Sequence, residues 1–434
     1  MLLGLDVGSS SVNAGLLRGT RVLAESPRVF FPTRCEGPHV EVDPPTLLKA
    51  IRQSIAGLGP QAKKVDALVV AGMAPAWVAM DKDGAALTPI VTHQDRRSVA
   101  EARDLEERLG QQRHLELCGS RPFPGGISST TWAWYKRHEP GRLKRADLVG
   151  HLNTFLHRQM TGARLTDPSN ASFTGLYASL TLAGWSPELC ANLGVKSSLL
   201  PEVIESDRIG GVLTAEAARR FGLRAGTPML AGLMDGSAGM LLAGAKVGQL
   251  FNVVGSTDVL ALCTDKPRPH PQLLTRALGF GQRWLQVSTL AAVASALYWA
   301  RAQFFPDVPI KQFPALLHRL SRNGAKEAGT VRFDPYLAGD RMSIEQRQGA
   351  FSGLTLATTR TQMLASVIEA LTRASAERLP LLEGTGTKIL RTVAISGGSD
   401  RLDQLMHRDW PGRWRYRAVT DATLRGLGTI TPRS

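Results

Sequence analysis

Cysteine is scarce in this chain. Its 434 residues hold four, Cys35, Cys118, Cys190 and Cys263, and no two stand at the spacing of a metal or redox pair. That excludes a C-x-x-C zinc or disulfide-exchange site and suits reduced structural thiols in a cytoplasmic protein. Long apolar runs are also missing. The stretch 226–245 is interrupted by Asp235 and the stretch 287–300 is too short to cross a bilayer, so both are expected as buried elements and no membrane partner is expected. The start, Met1-Leu2-Leu3-Gly4-Leu5-Asp6, has no basic region and meets a carboxylate within six residues, so a secretory signal is not expected there. A Gly-Lys-Ser/Thr phosphate loop opening a helix is absent too.

Positive charge is plentiful but scattered. The formal net charge is +15, yet Lys and Arg are spread from Arg18 to Arg433 in runs of no more than two or three. Basic and aromatic residues do not interleave as a stacking platform requires, so no nucleic-acid partner is expected. With 43% hydrophobic residues the chain can bury a large core in two or three domains.

What is present is a repeated local device. Leu2 to Val7 reads as a strand, Gly8-Ser9-Ser10 as a turn, and Val12 to Leu17 as a second strand, with Gly19-Thr20 turning into a third. This is a meander, where a Walker-type loop would run from strand to helix. Asp43 to Leu58 follows as a helix with Pro44-Pro45 in its first turn, then Val65 to Gly72 as a buried strand, a crossover unit of an α/β lobe. Ser98 is placed to cap the next helix, and 119–205 reads as a mixed, helix-rich region. Phe251 to Val254, Gly255-Ser256-Thr257 and Asp258 to Cys263 repeat the opening. A third glycine turn, Ser396-Gly397-Gly398-Ser399, ends the strand 391–395. Turns rich in backbone N–H groups and hydroxyls can grip phosphate oxygens, although each taken alone also fits an ordinary hairpin.

At these residues the sequence resembles the FGGY family of carbohydrate kinases, within the actin and hexokinase-like group of two-lobed ATPases. The likeness runs nearly end to end through Gly4-Leu5-Asp6-Val7-Gly8-Ser9-Ser10, Asp81-Lys82-Asp83-Gly84, His93-Gln94-Asp95-Arg96-Arg97, the segment Thr166 to Leu176, Asp235, Gly255-Ser256-Thr257 and Pro335 to Arg341. It implies an α/β fold of two ribonuclease-H-like lobes with an interlobe cleft, divided near Gly226 into 1–226 on the sugar side and 227–434 on the nucleotide side. The implied reaction is ATP-dependent phosphorylation of a small sugar or polyol. A ketopentose such as xylulose or ribulose is the expected acceptor, with a homodimer as a candidate assembly.

The same resemblance implies roles for particular residues. Asp235 matches the catalytic base, a task suited to a carboxylate whose pKa the surroundings raise; on the residues alone it could instead cap the helix that starts at Gly236. Asp6, with Asp235, is expected to hold Mg²⁺ partly through water. Ser9 and Ser10 in one lobe, with Gly255, Ser256 and Thr257 in the other, are assigned to the phosphates of ATP, and Gly397 and Gly398 to the adenosine. Asp95 and Arg96, with Gly236, are expected to bind the sugar, and Trp77 either stacks on it or sits in the core.

The chain departs from the family pattern in three places. Ala74-Pro75 stands where xylulose-phosphorylating members carry Met-His. The family's Gly-Thr-Ser is Gly-Ser-Thr followed by Asp258, a negative charge beside the expected phosphates. Six residues follow Gly428, without the family's further helical segment. Two other readings fit the same lobes: a pseudokinase acting as a nucleotide- or sugar-binding regulator, and a nucleotide-dependent chaperone or cytoskeletal protein. Retention of Asp6 and Asp235 speaks against the first, and Asp95-Arg96 with 167–176 against the second.

Overall fold

A computed structural model of the chain describes residues 1–397 and 402–433. It is a mixed α/β structure in two compact units. The first comprises Met1–Ala245, Cys263–Leu285 and the residues from Asp421 on; the second comprises Lys246–Leu262 and Gln286–Thr420.

The first unit is organised by β1 (Leu2–Val7), β2 (Ser11–Arg18) and β3 (Arg21–Glu25), the expected meander. Leu3, Leu5 and Val7 are fully buried, as are Val12, Ala14 and Leu16, because β1 and β2 lie in the interior of an eight-stranded sheet covered on its faces. Helix α1 (Pro44–Ala56) begins where the two prolines predict, with Asp43 accepting from the amide of Thr46 at 2.9 Å. Strand β4 (Ala67–Gly72) then runs parallel to β1. Ser98 precedes a helix as expected but does not cap it; its hydroxyl donates instead to Thr130 Oγ1 at 2.9 Å.

The division near Gly226 lies within the first unit. Pro228–Leu230 and β5 (Leu233–Met234) both pair in parallel with β4, so the chain past Gly226 is still building the first sheet. Helix α2 (Asp235–Ala243) follows β5 directly.

In the second unit β6 (Leu250–Val254) pairs antiparallel with β7 (Asp258–Thr264). Before the chain completes this unit, a short first-unit strand, β8 (Leu274–Ala277), intervenes. Helix α3 (Ala294–Phe304) and the long α4 (Arg360–Gly384), opened by a capping box of Thr359 and Gln362, precede β9 (Thr392–Gly397), which runs parallel to β6. Strand β10 (Arg415–Ala418) lies parallel to β9. Its residues are all exposed, and Arg413-Trp414-Arg415-Tyr416-Arg417 is a local exception to the expected separation of basic and aromatic side chains.

The chain ends by returning to the first unit as α5 (Ala422–Leu427), which lies against α2 so closely that a Cβ on Gly426 would stand 1.9 Å from the carbonyl oxygen of Ala238. The internal echo is real at the level of topology: each unit carries a hairpin whose first strand has a parallel neighbour, β1 with β4 and β6 with β9.

Candidate active site

Two carboxylates of the first unit are brought together by strand register. Val7 of β1 and Met234 of β5 both pair with Gly72 of β4, so Asp6 and Asp235 emerge at the same end of the sheet on strands that flank β4. Burial, and then the neighbouring charge of Asp235, push the Asp6 carboxyl up to about 7; Glu25 adds to the rise, while Arg28 and a hydrogen bond from Thr423 of α5 oppose it.

The backbone that carries Asp235 is held from behind. Ser169 Oγ accepts from the amide of Met234 at 3.0 Å. Ser169 is itself fixed by Asp167, whose fully buried carboxylate accepts from the amides of Ser169 and Asn170 at 2.9 and 3.2 Å and from Asn170 Nδ2 at 2.6 Å. Desolvation raises the Asp167 pKa against those donors. Gly232 adopts φ +75°, and a Cβ there would stand 2.4 Å from the carbonyl oxygen of Val70, so only glycine lets the chain turn this tightly beside β4. Asp235 sits in the first turn of α2, and its Oδ1 accepts from the amide of Gly236 at 2.6 Å. The helix starts at Asp235 itself with Met234 at the N-cap position and no side-chain cap, so Asp235 does not take the capping role open to it on the residues alone.

Arg276 of β8 was not foreseen. It is 4% exposed, donates from Nη1 to Ser237 Oγ at 2.8 Å, and feels the charges of Asp235 and Asp167. A lone arginine in Leu274-Thr275-Arg276-Ala277 carries no motif, and only the fold brings it to α2.

The second unit gathers the other expected turns. Val254 of β6 pairs with Gly397 of β9, so the 255–257 turn and Gly397 share one end of the sheet. Gly397 has φ +79° and a Cβ would meet the Val254 carbonyl oxygen at 2.4 Å, which makes glycine obligatory there. The carbonyls of Gly255 and Ser256 accept from the amides of Ala294 and Val293 at 3.1 and 2.8 Å, tying the turn to the start of α3. Beside Ala294 opens a cavity of about 720 Å³, lined by Tyr298, Phe313, Leu317 and Leu405 among others, a size and polarity suited to a flat aromatic ligand. Gly398 lies outside the described residues. Asp258 does not face the turn as a loose charge: it is fully buried and paired with Arg378.

Comparison with known proteins matches residues 1–242 to the model of the FGGY family of carbohydrate kinases, N-terminal domain. The chain belongs to that family. Among its relatives are a xylulose kinase of Escherichia coli K12, 28% identical over 413 residues that cover 92% of this chain and 82% of the relative, and a xylulose kinase of Klebsiella pneumoniae, 26% identical with 95% and 85% covered. A solved structure titled as a xyloylose kinase from Brucella ovis superimposes with a TM-score of 0.85 at 25% identity, covering 99% of this chain and 90% of that one. The actin and hexokinase-like fold and the assignment as a carbohydrate kinase follow.

In this FGGY kinase the residues expected to bind sugar stand in different local surroundings. Asp95 is buried, and its carboxylate accepts from the amide of Val40 at 2.7 Å and from Arg97 Nη2 at 2.7 Å, with Arg97 continuing to Glu41. Arg96 donates from its amide to the Pro38 carbonyl at 2.7 Å and from Nη1 to the carbonyl of Pro124. These bonds hold loops together. Trp77 is 4% exposed in an aromatic cluster, 5.2 Å from the Tyr135 ring and 6.4 Å from Trp132. Gly236 lies beside Asp235, with Arg276 Nη2 3.2 Å from where its Cβ would be. Ser9 and Ser10 form the β1–β2 turn, and their carbonyls accept from Thr33 Oγ1 and the Phe31 amide at 2.9 and 3.0 Å.

The donor set fits Mg²⁺. Among the described residues no group of three or more His, Cys, Asp or Glu could form an all-protein cage. Two mutually repelling carboxylates, one with its pKa raised to about 7, are the hard, partial shell that this cation takes alongside water and phosphate oxygens.

Proposed function

We propose that this FGGY kinase transfers the γ-phosphoryl group of ATP to a hydroxyl of a ketopentose such as xylulose or ribulose, with Asp235 as general base. The observation that carries the reading is the pairing of Asp235 with Asp6 at one end of the first sheet, with the Asp235 backbone anchored through Met234 to Ser169. The relatives named xylulose kinase support the choice of acceptor. Asp235 would accept the hydroxyl proton as the oxygen attacks phosphorus, a step that demands positioning more than covalent chemistry. Asp6 and Asp235 would hold Mg²⁺, partly through water; the cation neutralises phosphate charge when bound.

On this reading Ser9, Ser10, Gly255, Ser256, Thr257 and Gly397 serve the phosphates and ribose, and the cavity beside α3 receives the base. Asp95 and Arg96 shape the loops of the acceptor side. The protein works in the cytoplasm on small molecules, without nucleic acid or membrane, and a homodimer is the assembly to test by light scattering. Among the described residues no helix is long and apolar enough to cross a membrane.

A panel of ketoses and polyols assayed for acceptor-dependent ADP release tests the proposal. Turnover with xylulose or ribulose above the other acceptors is expected. Silence with every acceptor while ATP still binds would replace the kinase with a regulator of the same fold.

A further inference from the structure

The last helix of the chain is seated on its first two strands. Gly4 of β1 and Gly15 of β2 face each other in the hairpin, and their missing side chains leave room for two leucines of α5. A Cβ on Gly4 would stand 3.3 Å from Leu427 Cδ1, and one on Gly15 3.2 Å from Leu424 Cδ1. Leu424 and Leu427 are buried in one core with Leu17 of β2, Val69 and Ala71 of β4, Leu233 of β5 and Ala238 of α2. Just past the helix, a Cβ on Gly428 would stand 1.9 Å from the carbonyl oxygen of Gly19. Helix α5 is therefore packed against both the strand that carries Asp6 and the helix that carries Asp235, with little freedom to shift.

Its first turn carries a hydroxyl to Asp6. Asp421, immediately before α5, has φ +49° and ψ 41°, a left-handed conformation that is costly for a residue with a Cβ and is held only where the surroundings impose it. Two residues on, the half-buried Thr423 donates its hydroxyl proton to the Asp6 carboxylate. Asp235, Glu25 and Arg28 act on Asp6 as charges, whereas Thr423 reaches it with a hydrogen bond. Thr429, just beyond the same helix, behaves differently: its hydroxyl turns back to the Gly426 carbonyl at 2.7 Å, the bond open to a threonine beside helical backbone.

Pairing with Asn13 on one side and Ala71 on the other fixes the backbone of Asp6. It does not fix the carboxylate, which still turns about its own side-chain bonds. A carboxylate that holds a cation partly through water has to keep one orientation, and the groups that lock such ligands matter to metal affinity nearly as much as the ligands do. One accepted hydrogen bond occupies one of about four lone-pair sites and leaves the others for the waters of the cation.

We propose that Thr423 is a positioning residue for Mg²⁺: its hydroxyl, delivered by α5, fixes the Asp6 carboxylate in the orientation in which it holds the cation. This rests on the reading of Asp6 as a cation-holding residue. Thr423 acts only through Asp6 in this role, so its loss is felt in the metal and not in the acceptor.

The test uses Mn²⁺ as the probe. Its binding to the protein in excess over ADP is read from the electron paramagnetic resonance signal of the free ion, for wild type, Thr423→Val, Thr423→Ser, Asp6→Asn and the double variant Asp6→Asn/Thr423→Val. Thr423→Val keeps the shape of the side chain and removes the donor. It should weaken Mn²⁺ about 10- to 100-fold, the usual effect of losing a group that orients a metal ligand. The Mg²⁺ concentration for half-maximal turnover should rise in step, while KM for xylulose at saturating Mg²⁺ stays near the wild-type value. Thr423→Ser should recover most of the affinity and guards against a Val variant that fails to fold. In the Asp6→Asn background Thr423→Val should add nothing, because the two residues act as one. Wild-type Mn²⁺ binding by Thr423→Val, with Asp6→Asn weakened, overturns the positioning role alone. Equal losses in the Val and Ser variants overturn it too, assigning Thr423 to packing, as do losses that add in the double variant. If Asp6→Asn binds Mn²⁺ as wild type does, the reading of Asp6 itself fails and the proposal falls with it. If no acceptor turns over, the Mn²⁺ measurements alone decide.

Discussion

Arg378 closes on Asp258 through two parallel hydrogen bonds, Nη1 to Oδ1 at 3.0 Å and Nη2 to Oδ2 at 2.9 Å, with both side chains buried. Asn252 Nδ2 donates to the same carboxylate at 2.5 Å, which leaves Asn252 Oδ1 to accept from His407 Nε2 at 2.7 Å. Burial pulls His407 down to about 4, so the ring is neutral and donates from that nitrogen. Asp258 directly follows the 255–257 turn, and the network therefore fixes the strand ends from which the turn projects.

Removing one partner of such a pair strands the other charge in the interior. Arg378→Met should destabilise the protein by about 3 to 5 kcal/mol. Urea denaturation followed by tryptophan fluorescence measures it, and a loss below about 1 kcal/mol would mean the pair does not hold the second unit together.

Asp6 makes stability depend on pH with a definite sign. Its folded-state pKa, about 7, lies above the ordinary value of 3.8, so between those limits the folded chain binds more protons than the unfolded one. Stability from this group is therefore present at the acid end and is lost as pH rises toward 7. The difference in unfolding free energy between wild type and Asp6→Asn, measured without metal or nucleotide from pH 4.5 to 8, should fall across that window and then level. A flat difference would show that Asp6 titrates normally.

Asp235→Asn keeps the shape of the first turn of α2 and removes the proton acceptor. Turnover should fall by about 10² to 10⁴ if the residue supplies general-base catalysis. Nucleotide affinity, read by calorimetry, should change little. Undiminished turnover would take Asp235 out of the chemistry.

Ser169→Ala deletes the hydroxyl that accepts from the Met234 amide while leaving Asp167 with the donors of Asn170. Loosening the backbone that carries the base should lower kcat roughly tenfold, since small misplacements at a reacting centre are costly. KM for the acceptor should move far less. A change in KM alone would mean that Ser169 serves binding.

Much of the site was legible along the chain. Asp6 lies near the end of a strand whose alternation is local, with Ser9 and Ser10 just beyond it, and Gly397 marks a place where the backbone needs freedom that side chains deny. The boundary near Gly226 was not legible, because nothing local records that Pro228–Leu230 and β5 add themselves to β4, or that the chain returns as α5 to lie on α2. Asp95 illustrates the same limit: nothing local in the sequence records that its carboxylate pairs with Arg97, which continues to Glu41.

By itself the sequence determined the meanders, the turns, the carboxylate at the end of the first strand and the membership in a family of kinases, because each is written in a few adjacent residues. Only tertiary structure decided that Asp258 is neutralised by an arginine 120 positions away, and that Arg276 comes to rest where it donates to Ser237 and feels the charge of Asp235. Charge acts through space over a few ångströms, and which charges come that close is settled by strand pairing and helix packing, not by order along the chain.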